Sequence, residues 1–162
     1  MKRYIFIIIF SIVIFEFSFA SDFKGGRDDH SFLKAKNSNF IKGSNAIKRA
    51  LKYEKKNITK KANKQFEKAI KYFVLAHKEN PNNIETLNNL GFSYYNVGDL
   101  IMSEIYYQEG LIIDPKNNSI NQGLGTLYFK TNRKNLAMER LDILSSCNCQ
   151  EYLDLKSIIE SN

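Results

Sequence analysis

Tryptophan is absent from the 162 residues, and proline, cysteine and histidine occur twice each. These shortages exclude chemistry before any motif is sought. A structural zinc site asks for four ligands, and His30 and His77 stand at no metal-binding spacing from each other or from Cys147 and Cys149. Neither histidine has a nucleophile or carboxylate partner at a recognised catalytic spacing. There is no glycine-rich phosphate loop either, since Gly123 and Gly125 follow no strand. The sequence predicts a protein that is not an enzyme and that uses no cofactor and no metal. Strand-like alternation is also lacking. From Ser44 onward the apolar spacing is helical, and segments are separated by Asn, Gly, Asp and Pro.

Long apolar runs are scarce. The exception is Tyr4 to Phe15, about a dozen residues where a membrane-spanning helix needs roughly 20. Lys2 and Arg3 precede it, and Ser18 and Ala20 supply small residues at the positions a signal peptidase reads. Residues 1–20 are therefore expected to be a signal peptide cleaved after Ala20. This gives a periplasmic or secreted protein with no stable membrane span. An uncleaved signal anchor is the alternative, because Glu16 sits in the cleavage region. Residues 21–43, with Gly25, Gly26 and irregularly spaced Phe23, Phe32, Leu33, Phe40 and Ile41, read as a flexible leader.

Acidic residues are short in one half only. Residues 21–79 hold 16 Lys/Arg against 6 Asp/Glu, whereas residues 80–162 hold 6 against 10. The asymmetry implies an acidic partner for the first half, the second half of another copy, or simply a lysine-rich solvated face. Cys147 and Cys149 are candidates for a disulfide in an oxidising compartment, across a small ring.

Self-similarity organises the remainder. Asn80-Pro81 and Asp114-Pro115 are 34 residues apart, as are Gly91 and Gly125, each preceded by leucine and followed three residues later by Tyr94 or Tyr128. Ala69, Ser103 and Ala137 keep the same interval, and Phe73, Tyr107 and Leu141 follow them by four. This pattern resembles the tetratricopeptide repeat, whose signature pairs two helices over that period. The fullest copy is 84–117, with Leu87, Leu90, Gly91, Tyr94, Ser103, Tyr107, Gly110 and Pro115. A second copy is 118–149, with Asn121 where a large apolar residue usually stands, and a degenerate one covers 44–83. The fold expected is all-α: a right-handed α-solenoid of about three helix-turn-helix repeats with a capping helix at 150–162. Tyr152, Leu153, Leu155, Ile158 and Ile159 form the apolar stripe of that cap.

Helix ends are legible too. Gly98 or Asn132 suits the left-handed residue that stops a helix, Asp99 suits a cap, and Asn82 with Glu85 resembles a capping box. Gly91, Ser103 and Gly110 are small where helix backbones should cross closely.

The resemblance implies a groove lined by the first helix of each pair: Asn88, Asn89, Phe92, Tyr95 and Asn96, then Gln122, Thr126, Phe129 and Lys130. Amides and rings suit an extended peptide or a partner protein, although the rings could equally pack against the next repeat. Some members of the family clamp a terminal carboxylate with basic residues and asparagine. Asn89 matches one such position, but Ser119 and Gly123 stand where basic residues would be required, so that activity is not expected. The leading expectation is an exported interaction module. The alternative is polyanion binding, to anionic lipid or cell-wall polymer, through Lys52, Lys55, Lys56, Lys60, Lys61, Lys64, Lys68 and Lys71; export argues against nucleic acid.

Overall fold

The structure is a computed structural model that describes residues 29–161, with side chains from residue 38. The expected signal peptide and residues 21–28 of the leader lie outside the described residues. Seven helices follow in order: α1 (Asp29–Glu54), α2 (Thr59–Glu79), α3 (Ile84–Val97), α4 (Leu100–Ile113), α5 (Asn118–Lys130), α6 (Lys134–Leu144) and α7 (Gln150–Glu160). No strand occurs among the described residues. No helix among them is long and apolar enough to cross a membrane.

The expected leader is corrected from residue 29 onward, because Asp29 to Gly43 belong to α1. Phe40, Gly43, Ala46, Ile47 and Ala50 fall on one helical face. That face packs on Phe66, Ala69 and Phe73 of α2, so the helix continues upstream of Ser44.

Short connections make each pair an antiparallel hairpin. Gly98 closes α3 at φ 90°, and Asn132 (φ 58°) does the same work after α5. Asp99 caps α4 by accepting the Met102 N–H at 3.1 Å. The cap of α3 differs from expectation by one residue: Asn83, not Asn82, accepts the Thr86 N–H at 2.7 Å, because Asn80 to Asn82 form the preceding turn.

Packing explains the repeated columns. Leu87, Leu90, Leu124 and Leu127 are buried, as are Ala69, Ser103 and Ala137. A methyl group on Gly91 would stand 2.5 Å from the Tyr107 ring, so the ring lies directly on the backbone of α3. Ser103 Oγ donates to the Gly91 carbonyl at 2.8 Å and locks the same crossing. Asn121, the departure from the pattern, is fully buried and hydrogen-bonded. Its Nδ2 donates to the Pro115 and Asn117 carbonyls at 3.0 and 2.9 Å, so it ties α5 to the preceding turn.

The two rows of helices are not equivalent. The first helices touch their neighbours in sequence, α1 to α3, α3 to α5 and α5 to α7, whereas α2, α4 and α6 do not reach one another's backbones. The row of first helices is therefore the inner, concave side, and α7 extends it by lying against both α5 and α6.

Candidate functional site

The inner face of α3 and α5 carries the predicted groove residues, and the structure divides them into two sets. Phe92 turns toward α2, where its ring meets Phe66 edge-on at 5.8 Å, so it is held by the first core cluster. Asn96 donates its Nδ2 to the Phe92 carbonyl one turn back at 2.8 Å. Thr126 similarly donates to the Gln122 carbonyl at 2.9 Å, with the Gln122 amide 3.4 Å from its hydroxyl.

The other set faces outward from the inner row. Asn88 and Asn89 are half-buried, and their side-chain amides make no hydrogen bond among the described residues. Lys130 on α5 places Nζ 4.4 Å from the centroid of the Tyr95 ring on α3, which joins the two repeats across the groove. Lys134 of α6 stands 5.6 Å over Phe129 within one hairpin, and the inner sides of the Tyr95 and Phe129 rings pack against the second core cluster. Beneath Tyr95 lies Tyr107, which sequence reasoning assigned only to the core. Its phenol is pushed far above the ordinary tyrosine range, first by burial and second by the neighbouring Tyr95. Its ring edge and hydroxyl rest against Gly123, which leaves no room there for a side chain. The signal for this contact was Gly123 itself, a bare backbone where a carboxylate clamp would require a basic residue.

Ser119 also acquires a partner that spacing did not reveal. Its hydroxyl donates to Glu151 Oε1 of α7 at 3.2 Å, so a carboxylate closes that end of the inner face. On the outer side, Arg133 makes a two-pronged pair with Glu104 at 2.9 and 2.7 Å and stacks 4.5 Å over Tyr128. No group of three or more potential metal ligands forms among the described residues.

The family model described as tetratricopeptide repeat matches residues 84–117, the α3–α4 hairpin. The chain thus carries a tetratricopeptide repeat in that hairpin. Its solenoid is similar to the second tetratricopeptide-repeat domain of human RPAP3, solved in complex with an HSP70 peptide. That similarity has a TM-score of 0.57 at 14% identity and covers 78% of this chain and 99% of that one. It is also similar to the first such repeat domain of Spaghetti (RPAP3), solved with an HSP90 peptide, with a TM-score of 0.55 at 15% identity and coverage of 75% and 93%. At these identities the likeness is one of fold. No curated protein matches the chain. Within the tetratricopeptide-repeat frame, the α1–α2 hairpin is the first repeat and α5–α6 the third, with α7 standing as an unpaired first helix.

Proposed function

We propose that this tetratricopeptide-repeat protein is an interaction module that holds an extended segment of a partner protein along the inner face of α3 and α5. One observation carries the reading: two unengaged amides, Asn88 and Asn89, lie on the same inner face as the half-buried ring of Tyr95. Amides of this kind bond a peptide main chain, while rings supply contact area at low entropic cost. The RPAP3 domains of similar fold were solved with bound peptides, which supports the same use here. The Glu151 carboxylate on Ser119 and the tyrosine covering Gly123 oppose a negatively charged chain end. The groove therefore suits an internal segment.

Selection of a displayed random-peptide library on the full chain, followed by calorimetry, tests this. Asn89→Ala with Tyr95→Ala should weaken the selected peptides at least tenfold while leaving helicity intact. A terminal amide should bind as well as a terminal acid. Failure to select any peptide, or equal binding by the double variant, overturns the reading.

Export belongs to the same proposal. It rests on the basic start, apolar run and small-residue pair of residues 1–20, and the disulfide joining Cys147 to Cys149 is consistent with an oxidising compartment. The intact mass of protein recovered from its own cells should lack residues 1–20; a full-length mass in a reducing compartment rejects it.

A second reading rests on a separate observation. None of Lys52, Lys55, Lys56, Lys60, Lys61 and Lys64, around the α1–α2 turn, forms an ion pair among the described residues. Such unpaired charge suits an anionic lipid or cell-wall polymer, and that binding must weaken steeply with salt.

A further inference from the structure

The two most exposed large apolar side chains among the described residues, Ile112 and Ile101, lie on the outer face of α4, with Ile105 between them. Ile101 is 74% exposed, Ile112 81% and Ile105 48%. The repeat supplies its own control for these positions. One period earlier, α2 carries Glu67, Lys71 and Lys78 in the same columns, and one period later α6 and its end carry Asn135, Glu139 and Ser146, all exposed. Stacking of repeats therefore does not ask for isoleucine there. Three isoleucines in the middle repeat alone make a patch that implies a partner.

Their spacing identifies the kind of partner. Ile101, Ile105, Gln108 and Ile112 alternate steps of four and three residues, the spacing of a coiled-coil seam, with isoleucine at the first, second and fourth positions. Charge on the flanking helices then selects the symmetry. The outer face of α2 is basic on balance, with Lys64, Lys71 and Lys78 against Glu67, and that of α6 is acidic, with Glu139 and Asp142. A two-fold axis across α4 would make the two α4 helices antiparallel and set α2 over α2, lysine against lysine. A two-fold axis along α4 keeps them parallel and sets α2 of one copy over α6 of the other, lysine against carboxylate.

We propose that the protein pairs with a second copy of itself through this outer face, with the two α4 helices parallel and in register. Gln108, whose amide reaches Glu104 at 3.2 Å and the Tyr128 hydroxyl at 3.4 Å within its own chain, stands at the centre of the seam, and the concave faces point away from each other, so the dimer presents two grooves.

Sedimentation equilibrium of the protein as its own cells deliver it should show a monomer–dimer equilibrium that weakens as salt rises. Ile105→Asp with Ile112→Asp should weaken pairing at least tenfold with an unchanged helical spectrum, since both side chains are exposed. Lys71→Glu with Lys78→Glu should weaken it, and adding Glu139→Lys and Asp142→Lys to the same chain should restore it. Single cysteines test the direction: Ile101→Cys and Ile112→Cys should each cross-link to themselves under mild oxidation. Any of three results overturns the proposal: a monomer at all concentrations, cross-linking only between the two different cysteine variants, or binding of the wild type to phosphatidylglycerol vesicles that the aspartate variant loses.

Discussion

In the middle hairpin Tyr107 lies on Gly91, sixteen residues upstream; in the first hairpin Phe73 lies on Gly43, thirty residues upstream. The contact is the same in kind. A methyl group on either glycine would meet the facing ring, at 2.5 Å on Gly91 and 2.8 Å on Gly43. The fourteen extra residues are shared among the end of α1, the connection from Lys55 to Ile58 and the start of α2. Five of them lie in α1, two in the connection and seven, about two helical turns, in α2. The difference teaches that the crossing, a ring laid on a bare backbone, is what the architecture preserves, whereas the 34-residue interval is one way to reach it. Capping separates the two hairpins as well. Asn83 and Asp99 cap both helices of the middle pair, but α2 begins at Ile58 with no side-chain cap.

The comparison breaks most readily at the rings. Phe73→Ala and Tyr107→Ala should each cost about 3–5 kcal/mol in chemical unfolding, because each empties a fully enclosed space. If Phe73→Ala costs a small fraction of Tyr107→Ala, the longer hairpin is not held by the same contact. Next come the glycines. Gly91→Ala should cost about 1–3 kcal/mol by overpacking. Gly43→Ala should cost less, since the Tyr107 ring is also pinned at its hydroxyl end by Gly123, while among the described residues Phe73 has the edge of the Phe40 ring beside it. Equal costs would show that Phe73 is as confined as Tyr107.

The same contrast explains what could be read from the chain. Most structural roles in 84–117 were legible: Leu87 and Leu90 are buried, Gly98 is left-handed and Asp99 caps α4, whereas Gly91, expected at a close crossing of two backbones, meets the Tyr107 ring instead. There, spacing and packing coincide. The first hairpin was only half legible because the insertion destroys the interval while keeping the face. Phe40, Gly43, Ala46 and Ala50 nevertheless carried the helical spacing that extends α1. The groove was legible as a set of positions but not as a set of free side chains. Phe92 and Tyr95 stand only about 60° apart around α3, and helical spacing does not reveal that the Phe92 ring turns to Phe66 of the preceding helix. Ser119 and Gly123 take their meaning from Glu151 and Tyr107, distant in sequence, and no local pattern encodes such a pairing.

The smallest expected effect sharpens the comparison by transplanting a feature of one hairpin into the other. Ile58 precedes α2 at φ −100° and ψ 66°, close to the φ −82° and ψ 79° of Asp99 before α4, so the backbone is already placed for a capping side chain. Ile58 is 36% exposed and lies outside both core clusters. Lys60 and Lys61 occupy the first turn of α2, where positive charge opposes the helix dipole and an aspartate just before them would offset it. Ile58→Asp should therefore stabilise the protein by about 0.5–1 kcal/mol, while Asp99→Ala should destabilise it by about 1 kcal/mol. Thermal unfolding at low and high salt separates the two contributions, since the dipole part fades with ionic strength and the capping hydrogen bond does not. Loss of stability in Ile58→Asp would mean that the isoleucine anchors the longer connection, and that the first hairpin replaces a polar cap with an apolar one.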